Sequence, residues 1–179
     1  MRKWINLVEA ATPPVLFHGS NHRVEMPYRA LTHFGTELAA NQRALSIASR
    51  DRKWTKETGW THGDAVIWMH PVHVSIANPL RINDGVNLQH HPIKLADMLF
   101  YDLKVIRSED RSAIFNAGKF STLNDLPAAT AEIIRILAEK GYDGFVYRNI
   151  HEDPGSTSWV NFYSEQVTSA GEPWSDKVD

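Results

Sequence analysis

Apolar and polar positions alternate along this chain in short bursts, separated by glycine and proline punctuation. Val15-Leu16-Phe17-His18 reads as a strand that ends in the turn Gly19-Ser20-Asn21. Ahead of it, Thr12-Pro13-Pro14 stops a short amphipathic helix over residues 1–11, because each proline ring removes a donor and pushes its predecessor to extended geometry. Residues 30–34 form a second short strand closed by Gly35-Thr36. Thr36 is placed to cap the next helix, Glu37 complements its positive end, and Leu38, Ala39, Gln42, Leu45 and Ile47 carry it toward Arg50. A long strand runs through residues 65–69 and, past Pro71, through 72–76 to Asn78-Pro79. Residues 92–118 hold two short helices, one with Leu95, Met98 and Leu99 on a packing face. The clearest helical period covers residues 127–140, where Ile133, Ile134 and Leu137 recur and Gly141 supplies the stop. Residues 144–147 and 158–162 read as strands flanking a polar loop. Residues 51–63 mix charge, glycine, Trp54 and Trp60 without a period and read as an exposed lid-like loop, and residues 171–179 read as a flexible tail.

Strands outnumber helices, and the helices are dispersed without the regular crossovers of a doubly wound sheet, so the expectation is an α+β fold with split, mostly antiparallel sheets and flanking helices. The 179 residues suit one domain over residues 1–170. A composition of 42% hydrophobic and 22% charged residues is globular usage. The formal net charge of −2 offers no broad positive field for a phosphate backbone, which disfavours non-specific nucleic-acid binding. There are no cysteines, which removes disulfides, thiolate metal sites and a cysteine nucleophile. No stretch reaches the roughly 20 apolar residues that span a bilayer. The expectation is a soluble cytoplasmic protein that engages no membrane.

Nine histidines invite a metal hypothesis. His70 and His73, three apart on a strand, point to opposite faces and are poorly placed to share an ion, and His90-His91 lacks a partner at ligand spacing. Trp54 and Trp60, close to Arg52, Lys53 and Lys56, offer a local basic and aromatic surface, while Trp4, Trp68 and Trp159 fall in regular elements and read as core.

Segments in a fixed order carry the chemistry. Val15-Leu16-Phe17-His18-Gly19-Ser20 and Thr32-His33-Phe34-Gly35-Thr36 resemble the two nicotinamide-binding strands of the ADP-ribosyltransferases, in the poly(ADP-ribose) polymerase-like branch. The stretches 141–149 and 158–167 resemble that family's closing strands. With Asn78-Pro79-Leu80 after the long strand, the whole is most similar to the small domains of this family in phage and mobile-element polyvalent proteins.

The resemblance implies NAD as co-substrate, held by His18, Gly19, Ser20, His33 and Phe34. Gly19 would grip the nicotinamide carboxamide with its backbone N–H and C=O, His18 the ribose and Ser20 the amide, while His33 takes the place of a stacking aromatic. The departure is Ser158, which stands where polymerase-type members carry a catalytic glutamate. Serine brings no charge, so Glu152 is expected to reach in as the substitute, with Asp153 as its neighbour on the same loop. The implied activity is mono-ADP-ribosyl transfer, a glycosyltransferase chemistry, with His18, His33, Glu152 and Ser158 as catalytic positions and no metal. The acceptor is a macromolecule, protein in preference to nucleic acid, and a phage-encoded copy would act in the bacterial host cytoplasm. The alternatives are a catalytically silent NAD-binding module and, through His18 and His33, an enzyme like the RNA 2′-phosphotransferases.

Overall fold

A computed structural model describes residues 15–49, 53–55, 59–61, 66–84, 92–118 and 126–177. The helix expected over residues 1–11 and the pair His90-His91 lie outside them.

The molecule is α+β, with strands in two four-stranded sheets and a separate hairpin. In the first sheet β5 (Val66–Val74) is the axis. β1 (Leu16–Ser20) lies antiparallel along one edge, in the register Leu16↔Val72 to Ser20↔Trp68. Along the other edge β9 (Val167–Ser169) covers Val72–Val74 and β10 (Trp174–Lys177) covers Val66–Met69. Pro71 sits inside β5 without breaking it. It lies opposite Phe17, whose own N–H and C=O both bond Gly35 instead, so no ladder bond needs the missing proline donor. The Pro71 carbonyl accepts from Ala170 N–H at 3.0 Å on the opposite edge.

The second sheet runs β2 (His33–Phe34), β8 (Thr157–Asn161), β7 (Gly144–Arg148), β6 (Pro79–Arg81), all antiparallel except the parallel β6–β7 pair. Alternation along β7 and β8 divides the apolar content between two cores. Val146 and Trp159 join Leu16, Phe34, Val72 and Val74 between the sheets, while Phe145, Tyr147 and Val160 face the helices α2 (Pro92–Asp97), α3 (Ser108–Gly118) and α4 (Leu126–Glu139). A π-helical turn, Met98–Asp102, extends α2. Helix α1 (Glu37–Ala48) covers the first sheet with small residues: Ala39, Ala40, Ala44 and Ala48 are buried.

Two expectations are corrected. The segment read as a lid-like loop contains an antiparallel hairpin, β3 (Lys53–Thr55) with β4 (Gly59–Thr61), in the register Lys53↔Thr61. The segment read as a flexible tail contributes β10, with the Trp174 ring 5.8 Å from that of Phe17 in edge-on contact. All four β10 residues are exposed, so no apolar alternation marks them, and backbone pairing to β5 holds them. No helix of the described residues is long and apolar enough to cross a membrane.

Candidate functional site

Near the start of β1 and one residue past the end of β2, a two-way backbone bridge between Phe17 and Gly35 (2.9 and 3.0 Å) joins the two sheets. Beside that bridge opens a cleft of about 300 Å³. Of the residues singled out from the sequence, His18, Gly19, His33, Phe34, Glu152 and Ser158 all line it.

Peptide directions alternate along a strand, so Gly19 turns its N–H and C=O to the same edge as Phe17, away from β5 and toward the cleft. The need for glycine has a second cause that the sequence did not disclose. A Cβ at position 19 would stand 1.9 Å from the Ala40 carbonyl oxygen, so the missing side chain is what lets α1 close on β1.

His18 Nδ1–H donates to the His33 carbonyl at 3.1 Å, which leaves Nε2 as an acceptor. His33 Nδ1 shares a 2.8 Å hydrogen bond with the Tyr147 hydroxyl, and the two rings meet edge-on. The registers His33↔Val160 and Tyr147↔Ser158 put His33, Tyr147 and Ser158 on one face of the second sheet, as the cleft floor. Burial pulls the His18 imidazole down to about 4, against the opposing effect of its bond to the His33 carbonyl. Burial likewise takes His33 to about 4, helped by the Arg43 guanidinium and the His18 ring, and it pushes the Tyr147 phenol up to about 12. Both imidazoles are therefore neutral at physiological pH.

Ser158 is buried, and its hydroxyl donates to Asn149 Oδ1 at 3.1 Å. Ser20 is not among the lining residues. It follows His18 on the same face of β1 but at the strand end, where its hydroxyl donates to the His22 carbonyl at 2.5 Å beside the buried His70. Phe34 is 1% exposed, with its ring in the core between the sheets. His70 is buried and His73 exposed, as the strand alternation requires.

The two loop carboxylates separate. Asp153, at φ 47°, accepts from the Thr36 hydroxyl at 2.5 Å and donates its own N–H to Gln42 Oε1 at 2.6 Å, so it pins the loop to α1. Glu152 lines the cleft, 3.6 Å from Arg43. Sequence reasoning missed Arg43, Asp84, Tyr147 and Asn149 as lining residues. Tyr147 carried a signal, since it lies directly across from Ser158 on neighbouring strands. Asp84 carried none.

No protein-family model matches the chain, and no curated protein does. Among solved structures, a crystal structure of an anti-CRISPR protein aligns over 92% of this chain and 94% of that one, at 14% identity and a TM-score of 0.28. A likeness that weak carries no argument.

Proposed function

We propose that the chain binds NAD in this cleft and transfers its ADP-ribosyl group to a macromolecular acceptor, protein in preference to nucleic acid. The observation that carries the reading is convergence: segments far apart in sequence, chosen for their resemblance to nicotinamide-binding strands, meet around one cavity. Its volume lies at the low end of the roughly 300–1,000 Å³ of ligand pockets, enough for nicotinamide and its ribose with the remainder of the dinucleotide extending outward. The Gly19 N–H and C=O would take the carboxamide oxygen and amine, the floor of His33 and Tyr147 would lie against the ring, and His18 Nε2 would accept from a ribose hydroxyl.

Electrostatics supports the same ligand. With His18 and His33 neutral, the charged side chains among the described lining residues are Arg43 against Asp84 and Glu152, a negative balance that suits a pyridinium cation. It suits the phosphate of an RNA 2′-phosphotransferase poorly, since Arg43 is the one arginine or lysine among the described lining residues and is paired. In the reaction, the bond from the anomeric carbon to the nicotinamide nitrogen breaks and its electron pair leaves with the ring, which becomes neutral. The resulting oxocarbenium-like carbon takes an electron pair from the acceptor, whose proton passes to water. The resemblance to phage and mobile-element domains makes a bacterial host cytoplasm the proposed setting.

A second reading has its own observation. Ser158 is buried and hydrogen-bonded to Asn149, a settled contact that supplies no charge at the position where the family carries glutamate, and this favours a silent NAD-binding module. Incubation with NAD labelled on the adenylate and a bacterial lysate separates the two. Label on protein supports transfer, binding in calorimetry without label or nicotinamide release supports the silent module, and no binding at all removes both.

A further inference from the structure

ADP-ribosyl transfer needs negative charge beside the ribose at the moment nicotinamide leaves, and Ser158 provides none. Among the described residues, the carboxylates that line the cleft are Glu152 and Asp84. Glu152 lies 3.6 Å from the Arg43 guanidinium. Asp84 arrives differently. Beyond β6, the parallel path along β7 continues through the bond from Ile82 N–H to the Val146 carbonyl (2.9 Å), and it ends with Ile150 N–H donating to Asp84 Oδ2 at 2.7 Å. That backbone bond fixes the carboxylate alongside β7, whose Tyr147 forms the cleft floor with His33.

We propose that Asp84 is the catalytic carboxylate of this cleft, accepting a hydrogen bond from a ribose hydroxyl of NAD and stabilising the positive charge as nicotinamide departs. The assignment rests on the ADP-ribosyl-transfer reading. Its support is the placement of Asp84 in the same cleft as the strand-end motifs and the backbone anchor that holds it there. The reach of its charge agrees. Asp84 draws the His33 proton equilibrium upward against burial, and at the Tyr147 phenol its influence exceeds that of Glu152. The Tyr147 and His33 side chains of the floor thus both feel the Asp84 carboxylate.

The test compares wild type with Asp84→Asn, Asp84→Glu and Glu152→Gln, reading NAD affinity by calorimetry and nicotinamide release and label transfer under steady-state conditions. Asparagine keeps an oxygen for the Ile150 N–H, and a thermal melt of Asp84→Asn checks that the fold is retained. Its kcat falls about a hundredfold while KM and Kd for NAD stay within about threefold, because the lost interaction is made in the transition state. Asp84→Glu restores part of the rate, and Glu152→Gln lowers kcat by less than Asp84→Asn does. Undiminished kcat in Asp84→Asn, a loss confined to KM, or a hundredfold fall in Glu152→Gln alone overturns Asp84 and leaves the transfer reading standing. Wild-type protein that binds NAD yet shows neither release nor transfer with any acceptor overturns the transfer reading itself, and the role of Asp84 with it.

Discussion

Gly19 shows how one residue can serve two demands that sequence cannot tell apart. Its backbone faces the cleft, while its Cα faces α1 so closely that an added methyl meets the Ala40 carbonyl carbon at 2.6 Å and its oxygen at 1.9 Å. Backbone cannot give way as a flexible side chain can, so Gly19→Ala should cost about 2–3 kcal/mol in denaturant unfolding, by overpacking. Any loss of NAD binding in that variant is then to be read against its stability. A Gly19→Ala protein as stable as wild type would mean that α1 sits further from β1. The motif around Gly19 was legible because the residues that define it are contiguous. Asp84 was not, because its anchoring contact is to Ile150, 66 positions away, and only the parallel β6–β7 pairing brings them together.

At the scale of elements, α1 is the part whose sequence signals translate most directly. Thr36 occupies the N-cap, its hydroxyl oxygen accepting from Ala39 N–H at 3.1 Å, and Glu37 follows in the first turn. The signal hides a second duty, because the same hydroxyl donates to Asp153 and so fastens the 149–157 loop over the cleft. Thr36→Ala should therefore do more than remove a cap. A stability loss of about 1–2 kcal/mol is expected from the helix end. Faster amide exchange should also appear at Asp153 and Ser156, where Asp153 donates to Gln42 and Ser156 donates to the Asp153 carbonyl. Exchange unchanged at those amides would show that Gln42 and the Arg43–Glu152 pair hold the loop unaided, although such a half-exposed ion pair contributes well under about 1 kcal/mol. Strands β3, β4 and β10 mark the converse limit of reading elements from sequence. Periodicity reports burial on one face, and the exposed β10 residues are ordered by edge pairing to β5, which leaves no periodic trace.

For the whole molecule, the two cleft histidines tie stability to pH. His18 and His33 sit near 4 in the folded protein, against about 6.5 for an unconstrained imidazole, chiefly because burial penalises the charged form. His70 is shifted in the same direction, also by burial. Between those values the unfolded chain binds more protons than the folded one, so unfolding free energy rises with pH across the window. Stability should be level above about pH 6.5, fall on acidification toward about pH 4, and gain no further loss from these groups below it. The contribution is on the order of 3 kcal/mol at most for each cleft histidine, and less together because each ring disfavours a proton on the other. Asp110 and Glu132, whose carboxyls are held low by hydrogen bonds from the Arg107 N–H and the Arg135 side chain, lose their stabilising charge only toward the acid end of this range. Measurements from pH 7.5 to 4.5 therefore isolate the histidines. In urea unfolding over that range, His33→Gln should flatten the slope, since glutamine keeps a polar group and removes the titration. Binding should behave differently from stability. His18 Nε2 stays an acceptor in the folded protein down to about pH 4, so NAD affinity of the folded fraction should hold level from pH 7.5 to 5 while stability is already declining. An affinity that falls with an apparent pKa near 6.5 would show instead that the imidazoles are solvated in the free cleft, and that the neutral floor proposed for the nicotinamide ring is not formed before the ligand arrives.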